Sequence, residues 1–261
     1  MAEEPVRILV SDGAAIADPK DKRIITAWSI SITAAVLTLI GLCIFLPDPF
    51  WDLLQFISDG ILVTFQVTIL SITISVAIGM FTGLGRLSKN RGINLLASTY
   101  VEVIRGIPLL VQLFFIYYGM GKFLGVGGIP AAVIAMSFCY GAYMGEVFRA
   151  GISAVPKGQT EAARSLGFND KQTMWMVVMP QAWRTILPPI GNEFIAMLKD
   201  TSLVSILAVS DILRRGSEYA GVNFNYFETY ALVALVYLII TLLLSKAVSL
   251  MEIRLNYYDR R

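Results

Sequence analysis

Long charge-free stretches punctuate this chain. Residues 24–46, 60–85 and 123–145 hold no Asp, Glu, Lys or Arg. Each exceeds the roughly 20 apolar residues that carry a helix across a hydrocarbon core. Three further apolar stretches do carry charge: about 94–120 with Glu102 and Arg105, about 174–206 with Arg184, Glu193, Lys199 and Asp200, and about 227–251 with Lys246. The fifth is also interrupted by Pro180, Pro188 and Pro189. The pattern predicts an all-α integral membrane protein with six transmembrane helices. Its first span is longer than the roughly 7–15 residues of a secretory h-region, and Phe45-Leu46-Pro47 lacks the small residues of a cleavage site. An uncleaved anchor is expected there, behind a polar terminal tail, residues 1–23, with little fixed structure.

Hydroxyls mark one face of the second span. Thr64, Thr68, Ser71 and Ser75 recur at i, i+4, i+7 and i+11. Small polar residues at that spacing favour close helix packing over a substrate path.

Composition agrees with the pattern. Of 261 residues, 56% are hydrophobic and 15% charged, against about 25% charged in soluble domains; mean hydropathy is +0.67. A net charge of +2 gives no reason to expect a nucleic-acid partner. The chain has no histidine, which excludes His-containing zinc sites and Ser-His-Asp or Cys-His catalysis; no metal site is expected. Cys43 and Cys139 each lie inside an apolar stretch and read as inert buried thiols.

The placement of charge is more informative than its sum. Four Lys and Arg lie in the N-terminal tail, three at 86–92, four at 149–173 and four from Lys246 to the C-terminus. The alternate loops hold none at 47–59, Lys122 at 119–128, and Arg214 and Arg215 at 208–226. Fifteen against three is a strong positive-inside signal. It places both termini and the 149–173 loop in the cytoplasm.

That loop contains a helix. Pro156 can open one at its first turn. Glu161-Ala162-Ala163-Arg164-Ser165-Leu166 favours helix, and Gly167 suits the left-handed position after a helix end. Adjacent alanines would let another protein approach closely, with Glu161 and Arg164 as charge partners. Glu161-Ala162-Ala163, three residues, Gly167, nine residues, then Val177-Val178-Met179-Pro180 resembles the cytoplasmic loop of ATP-binding-cassette (ABC) importer permeases. The family pattern ends Ile-x-Leu-Pro, so Val177 and Met179 depart from it while keeping hydrophobicity. The resemblance covers about residues 58–257. It includes Thr64-Phe65-Gln66-Val67-Thr68 and the run from Glu102 through Arg105-Gly106-Ile107-Pro108 to Gln112. The segment Pro188 to Phe194, continuing to Lys199-Asp200-Thr201-Ser202-Leu203, is similar to the polar amino acid (histidine/glutamine/arginine-type) branch in particular. That branch usually has five spans, so the helix at 24–46 is an addition.

The resemblance implies a permease subunit of an importer for polar amino acids, forming half of a translocation pathway in the bacterial plasma (inner) membrane and surrounded by lipid. It implies that a coupling helix at about 157–167, carrying Glu161, Ala162, Ala163, Arg164 and Gly167, sits in a cleft of a cytoplasmic ATP-binding subunit. ATPase closure would then switch the two halves by alternating access. It further implies an extracytoplasmic solute-binding protein and a second permease subunit, the same or homologous. No G-x-x-x-x-G-K-[ST] loop occurs: Gly121-Lys122 is followed by Phe123. The chain itself should be non-catalytic, with no cofactor of its own and with ATP and Mg on the partner.

Charges at bilayer depth cost at least about 2.5 kcal/mol on insertion scales, so they line cavities or have partners. Glu193 and Asp200 stand seven apart, on one helix face with roughly 10 Å between them; Asn192 and Thr201 flank them. Carboxylates there could hold an ammonium or a basic side chain. The resemblance agrees, because Glu193 and Asp200 match positions that line the substrate site in basic amino acid members. The same acids could equally be neutralised by Arg184, Lys199 and Arg105 in structural pairs. Glu102 with Arg105, and Glu146 with Arg149, read as i,i+3 pairs of structural or gating kind. An ion-gradient-driven secondary transporter is the main alternative, and a sensory membrane subunit that transports nothing is another. The docking loop argues against the first, which has no use for it.

Overall fold

The structure, a computed structural model, describes residues 26–256; the tail 1–23 and residues 257–261 lie outside them. All its regular elements are helices. They are α1 (Ala27–Phe45), α2 (Pro47–Arg86), α3 (Arg91–Gly106), α4 (Leu109–Phe114), α5 (Gly121–Leu124), α6 (Gly128–Ser153), α7 (Lys157–Ser165), α8 (Asp170–Gln172), α9 (Met179–Asp200), α10 (Ile212–Asn223) and α11 (Tyr226–Asn256). π-Helical turns at Phe115–Met120 and Thr173–Val178 extend α4 and precede α9, and a 3-10 segment, Thr201–Leu207, follows α9.

Among the described residues four helices, α1, α2, α6 and α11, are long and apolar enough to cross a membrane. A fifth crossing exists if α3 and the α4 segment are one span, bent by 100°. The continuous third span expected over 94–120 is therefore two helices. Pro108 has no N–H to donate and disfavours helical geometry in the residue before it. Ile107 is accordingly extended, at φ −106° and ψ 128°. The fifth expected span corresponds to α9 with its two flanking turns, which is not among those apolar helices: Arg184 and Glu193, with Gln181, Asn192 and three prolines, lower its hydropathy. Pro188 and Pro189 lie inside α9, which remains one assigned helix.

Two loops expected from their charge content hold helices instead. The backbone is extended at Asp48 (φ −96°, ψ 120°), and residues 49–59 beyond it are the first turns of α2, which runs on to Arg86 over roughly 57 Å. Residues 212–223 form α10, capped by the Asp211 carboxylate, which accepts from the backbone N–H of Arg214 at 3.0 Å and Leu213 at 3.3 Å. Charge counting locates chain outside a membrane but is blind to helices that continue there.

The centre of the fold is α2 packed along α6. The hydroxyl stripe is buried in it: Thr64, Thr68, Ser71 and Ser75 are fully enclosed, and Ser75 donates to the Ser137 carbonyl at 3.3 Å. A Cβ at Gly79 would fall on the Met144 side chain, so only glycine permits this approach. Around this axis, Val67, Leu113, Met136, Met197 and Leu207 form the central core. Phe148, Met179 and Ile186 close the α6–α9 end. The first helix stands apart: Ala35 is its one buried residue, and Cys43 is only half-buried rather than enclosed. It is held to α11 by Trp28, whose indole N–H donates to the Leu242 carbonyl at 2.8 Å and whose ring lies 5.1 Å from Lys246 Nζ.

Candidate functional site

A cavity of about 410 Å³ forms where the α3–α4 break meets α6 and α9. Arg105, Pro108, Tyr140, Tyr143, Glu193 and Asp200 are in its wall. The break itself is stabilised by Gln112, one turn into α4. Its side-chain amide donates to the Ile104 carbonyl at 2.9 Å and the Ile107 carbonyl at 2.8 Å, satisfying acceptors that a continuous helix would have used internally. Ending α3 at Gly106 leaves Arg105 at the cavity edge, its guanidinium carbon 5.0 Å from the centre of the Tyr143 ring, a cation–π distance. The expected pair of Arg105 with Glu102 does not form: both stand on α3, but the Arg105 side chain is turned to Tyr143 and Glu102 is exposed.

Opposite, α9 presents both acids. Asp200 accepts a hydrogen bond from the Tyr140 hydroxyl at 2.7 Å, and Glu193 lines the same cavity as Arg105. Among the described residues no ion pair within 4 Å reaches either acid. Lys199 is exposed. The other two expected contacts lie elsewhere. Asn192 is exposed and outside the cavity wall. Thr201 is fully buried and donates to the Leu198 carbonyl at 2.6 Å. It adjoins a separate polar cluster in which the Tyr237 hydroxyl donates to Asp211 at 3.4 Å. The cavity thus sets a guanidinium and two carboxylates around one space, suited to a small molecule carrying both signs of charge. Tyr140 and Tyr143 were not foreseen at the site; Arg105 was, as one of three cations that could neutralise the acids. The signal for the tyrosines was their i, i+3 spacing within the charge-free stretch 123–145.

A second candidate region lies at the far end of α6. The helix α7 runs Lys157–Ser165 after Pro156, its N-cap, and ends two residues before the expected 167. Gly167, at φ +86°, donates to the Arg164 carbonyl at 2.9 Å, and Phe168 N–H to the Ala163 carbonyl at 3.1 Å. This paired closure requires the left-handed residue that glycine supplies. Ala163 faces inward at 4% exposure while Glu161, Ala162, Arg164 and Gly167 are exposed. Arg164 is tied back to Asp170 at 2.7 Å, and Asp170 also meets Lys89 at 3.2 Å. Hydrogen bonding to Lys89, and then the charge of Arg164, hold the Asp170 carboxyl below its usual range. Glu146 bonds Arg149, as its spacing implied, and also Arg86 from the end of α2.

Residues 75–256 match the family described as "Binding-protein-dependent transport system inner membrane component". The chain is 41% identical over 215 residues to the L-cystine transport system permease protein of Bacillus subtilis (strain 168), covering 80% of this chain and 92% of that one. It is 33% identical over 208 residues to the arginine transport system permease protein of the same organism, covering 79% and 95%. It is 34% identical over 209 residues to the glutamine transport system permease protein of Escherichia coli (strain K12), also covering 79% and 95%. Among solved structures it resembles an amino acid ABC transporter with histidines at 44% identity and TM-score 0.72, covering 77% of this chain and 94% of that one. An inward-facing methionine ABC transporter shares the fold at 17% identity and TM-score 0.69, covering 78% and 98%.

Proposed function

The chain belongs to the family of binding-protein-dependent transport system inner membrane components, and from that premise we propose that it is the permease subunit of an ATP-driven importer for amino acids. It forms half of a translocation pathway, and the cavity between the α3–α4 break, α6 and α9 is its substrate site. The observation that carries the cargo is that one cavity holds Arg105 with Glu193 and Asp200. A free amino acid carries an ammonium and a carboxylate a few Å apart. Glu193 and Asp200 take the ammonium or a basic side chain, and Arg105 takes the carboxylate. The amino acid permeases among the relatives support this reading.

Energy enters through α7. Its exposed Glu161 and Ala162, with Arg164 and Gly167 at its closing turn, form the face that a cytoplasmic ATP-binding subunit grips. ATP and Mg reside there, and this chain is non-catalytic. An extracytoplasmic solute-binding protein delivers cargo, and a second permease subunit completes the pathway in the bacterial inner membrane. The bent α3–α4 pair and α9 complete six crossings, with both termini cytoplasmic. Residues 58–257 form the transport domain, and α1, within the 24–46 stretch, is an added anchor.

The deciding experiment is uptake into vesicles holding the chain, its ATP-binding subunit and its binding protein. ATP-dependent amino acid uptake is expected. Uptake by the chain alone on an ion gradient would replace this reading with a secondary transporter.

A further inference from the structure

The carbonyls on either side of the Arg105-Gly106 pair lose their helical partners at the α3–α4 break. In a continuous helix the Ile104 carbonyl would accept from residue 108, but Pro108 has no N–H to give. It receives only a long contact from the Ile107 N–H, at 3.4 Å. The Ile107 carbonyl would accept from Val111, whose N–H is taken by the Pro108 carbonyl at 3.0 Å. The Gln112 amide stands in for both missing donors, at 2.9 Å from the Ile104 oxygen and 2.8 Å from that of Ile107. One planar group thus ties together the two residues that flank Arg105-Gly106. Gln112 itself is buried and outside the cavity wall, so it acts on the cavity only through what it holds.

One turn of α6 links this junction to the charges. Cys139 Sγ lies 3.7 Å from the Gln112 amide nitrogen. The next residue, Tyr140, donates to Asp200 at 2.7 Å. Tyr143, a turn beyond Cys139, has the Arg105 guanidinium carbon 5.0 Å from its ring centre. All three α6 residues line the cavity. Tyr143 meets only the far end of a long, rotatable side chain, whereas the bend sets where the Arg105 backbone stands.

We propose that Gln112 is a positioning residue for recognition of the substrate carboxylate: by pinning the bend, it keeps Arg105 where that group can be met, facing Glu193 and Asp200. The inference rests on the cavity being the substrate site. A guanidinium and a carboxylate pair best in a fixed, two-bonded geometry, and a displacement of about 1 Å loosens such a site. Removing the amide leaves two carbonyls short of a donor, and the chain around Arg105 shifts to satisfy them elsewhere.

The full chain with its ATP-binding subunit is titrated with the common L-amino acids. The one that wild type binds most tightly is compared with its α-amide, which keeps the ammonium and side chain but lacks the carboxylate charge. Wild type should prefer the acid. Gln112→Met, of similar length but without N–H donors, should lower that preference about tenfold, with binding of the amide little changed. Gln112→Asn, whose amide falls one methylene short of the carbonyls, should lower it less. In an Arg105→Gln background, Gln112→Met should not change the preference further. A wild-type preference that survives Gln112→Met would overturn the inference and leave the substrate site standing. An equal fall for acid and amide would make Gln112 a brace of the fold alone, and overturn it too. Should Gln112→Met not fold, Gln112→Asn decides by the same two outcomes. No preference for the acid in wild type would remove the substrate site itself, and this inference with it.

Discussion

The central cavity and the α7 region are both rich in charge, yet they are built in opposite ways. In the cavity, Arg105, Tyr140, Glu193 and Asp200 come from segments far apart in sequence, and among the described residues no ion pair reaches the two acids. Around α7, the contacts are mostly local: Arg164 meets Asp170 six residues on, and the helix is closed by its own Gly167. Lys89, from the α2–α3 turn, and Gln181 of α9, whose side-chain amide donates to Gln159 at 3.2 Å, are the distant contributors. The difference teaches where free energy is held for use. Charges kept apart at bilayer depth can be compensated by a ligand. Exposed pairs on a surface helix contribute little stability and mainly hold a shape that a partner reads.

Substitutions can separate the two regions. The largest effect is expected from Glu161→Lys, which reverses charge on the exposed face of α7. It should abolish association with the ATP-binding subunit and ATP-driven uptake while the chain remains folded in the membrane. Co-purification of the subunit checks this, and normal uptake would sever α7 from coupling.

Asp200→Asn should come next. Losing a charged hydrogen-bonding group should reduce substrate affinity about ten- to hundredfold, with the ATP-binding subunit still attached. Tyr140→Phe, which removes only the donor to Asp200, should cost less than Asp200→Asn. Equal substrate binding in all three proteins would remove Asp200 from the site.

Gly167→Ala probes the α7 region more gently. Alanine in the left-handed conformation costs roughly 1–2 kcal/mol, so ATP-driven uptake should fall by about five- to thirtyfold at most, with substrate affinity unchanged. Gly167→Asn should recover part of the loss, because asparagine tolerates that conformation.

The smallest effect is expected from Asp170→Asn, less than about twofold in uptake, since exposed pairs are weak. Its pH dependence has a definite sign. The folded carboxyl titrates below its usual value, so its contribution is present at neutral pH and lost as pH falls through the folded value. Between pH 6 and 8, wild type and variant should show parallel profiles; a divergence there would assign the brace another titrating group.

Much of the α7 region was legible in the chain because its determinants are local. Pro156, the helix-forming run and Gly167 specify start, body and stop within a dozen residues. The cavity was only half legible. Glu193 and Asp200 stood out as charges in an apolar stretch, and their seven-residue spacing put them on one face. Arg105 was visible too, both as one of three cations that could neutralise the acids and, by its i,i+3 spacing, as a partner for Glu102. Nothing in that spacing tells that Pro108 breaks the helix by 100° and delivers Arg105 to Tyr143. Asn192 and Thr201 were drawn in as sequence neighbours of the acids. On a helix, adjacent residues point about 100° apart, and the structure puts one outside the wall and the other in the core.

By itself, then, the sequence determined the class of long apolar helices, the alternation of basic and non-basic loops and the short helix after Pro156 with its stop at Gly167, since apolar length, charge bias and left-handed glycine act over short distances. Tertiary structure decided how many apolar helices stand as straight crossings. It also decided that the α2 hydroxyls serve packing and that Arg105 shares a space with Glu193 and Asp200. Those outcomes depend on which helix faces meet, and that is set by close packing at sites such as Gly79 on Met144 rather than by any local preference of the chain.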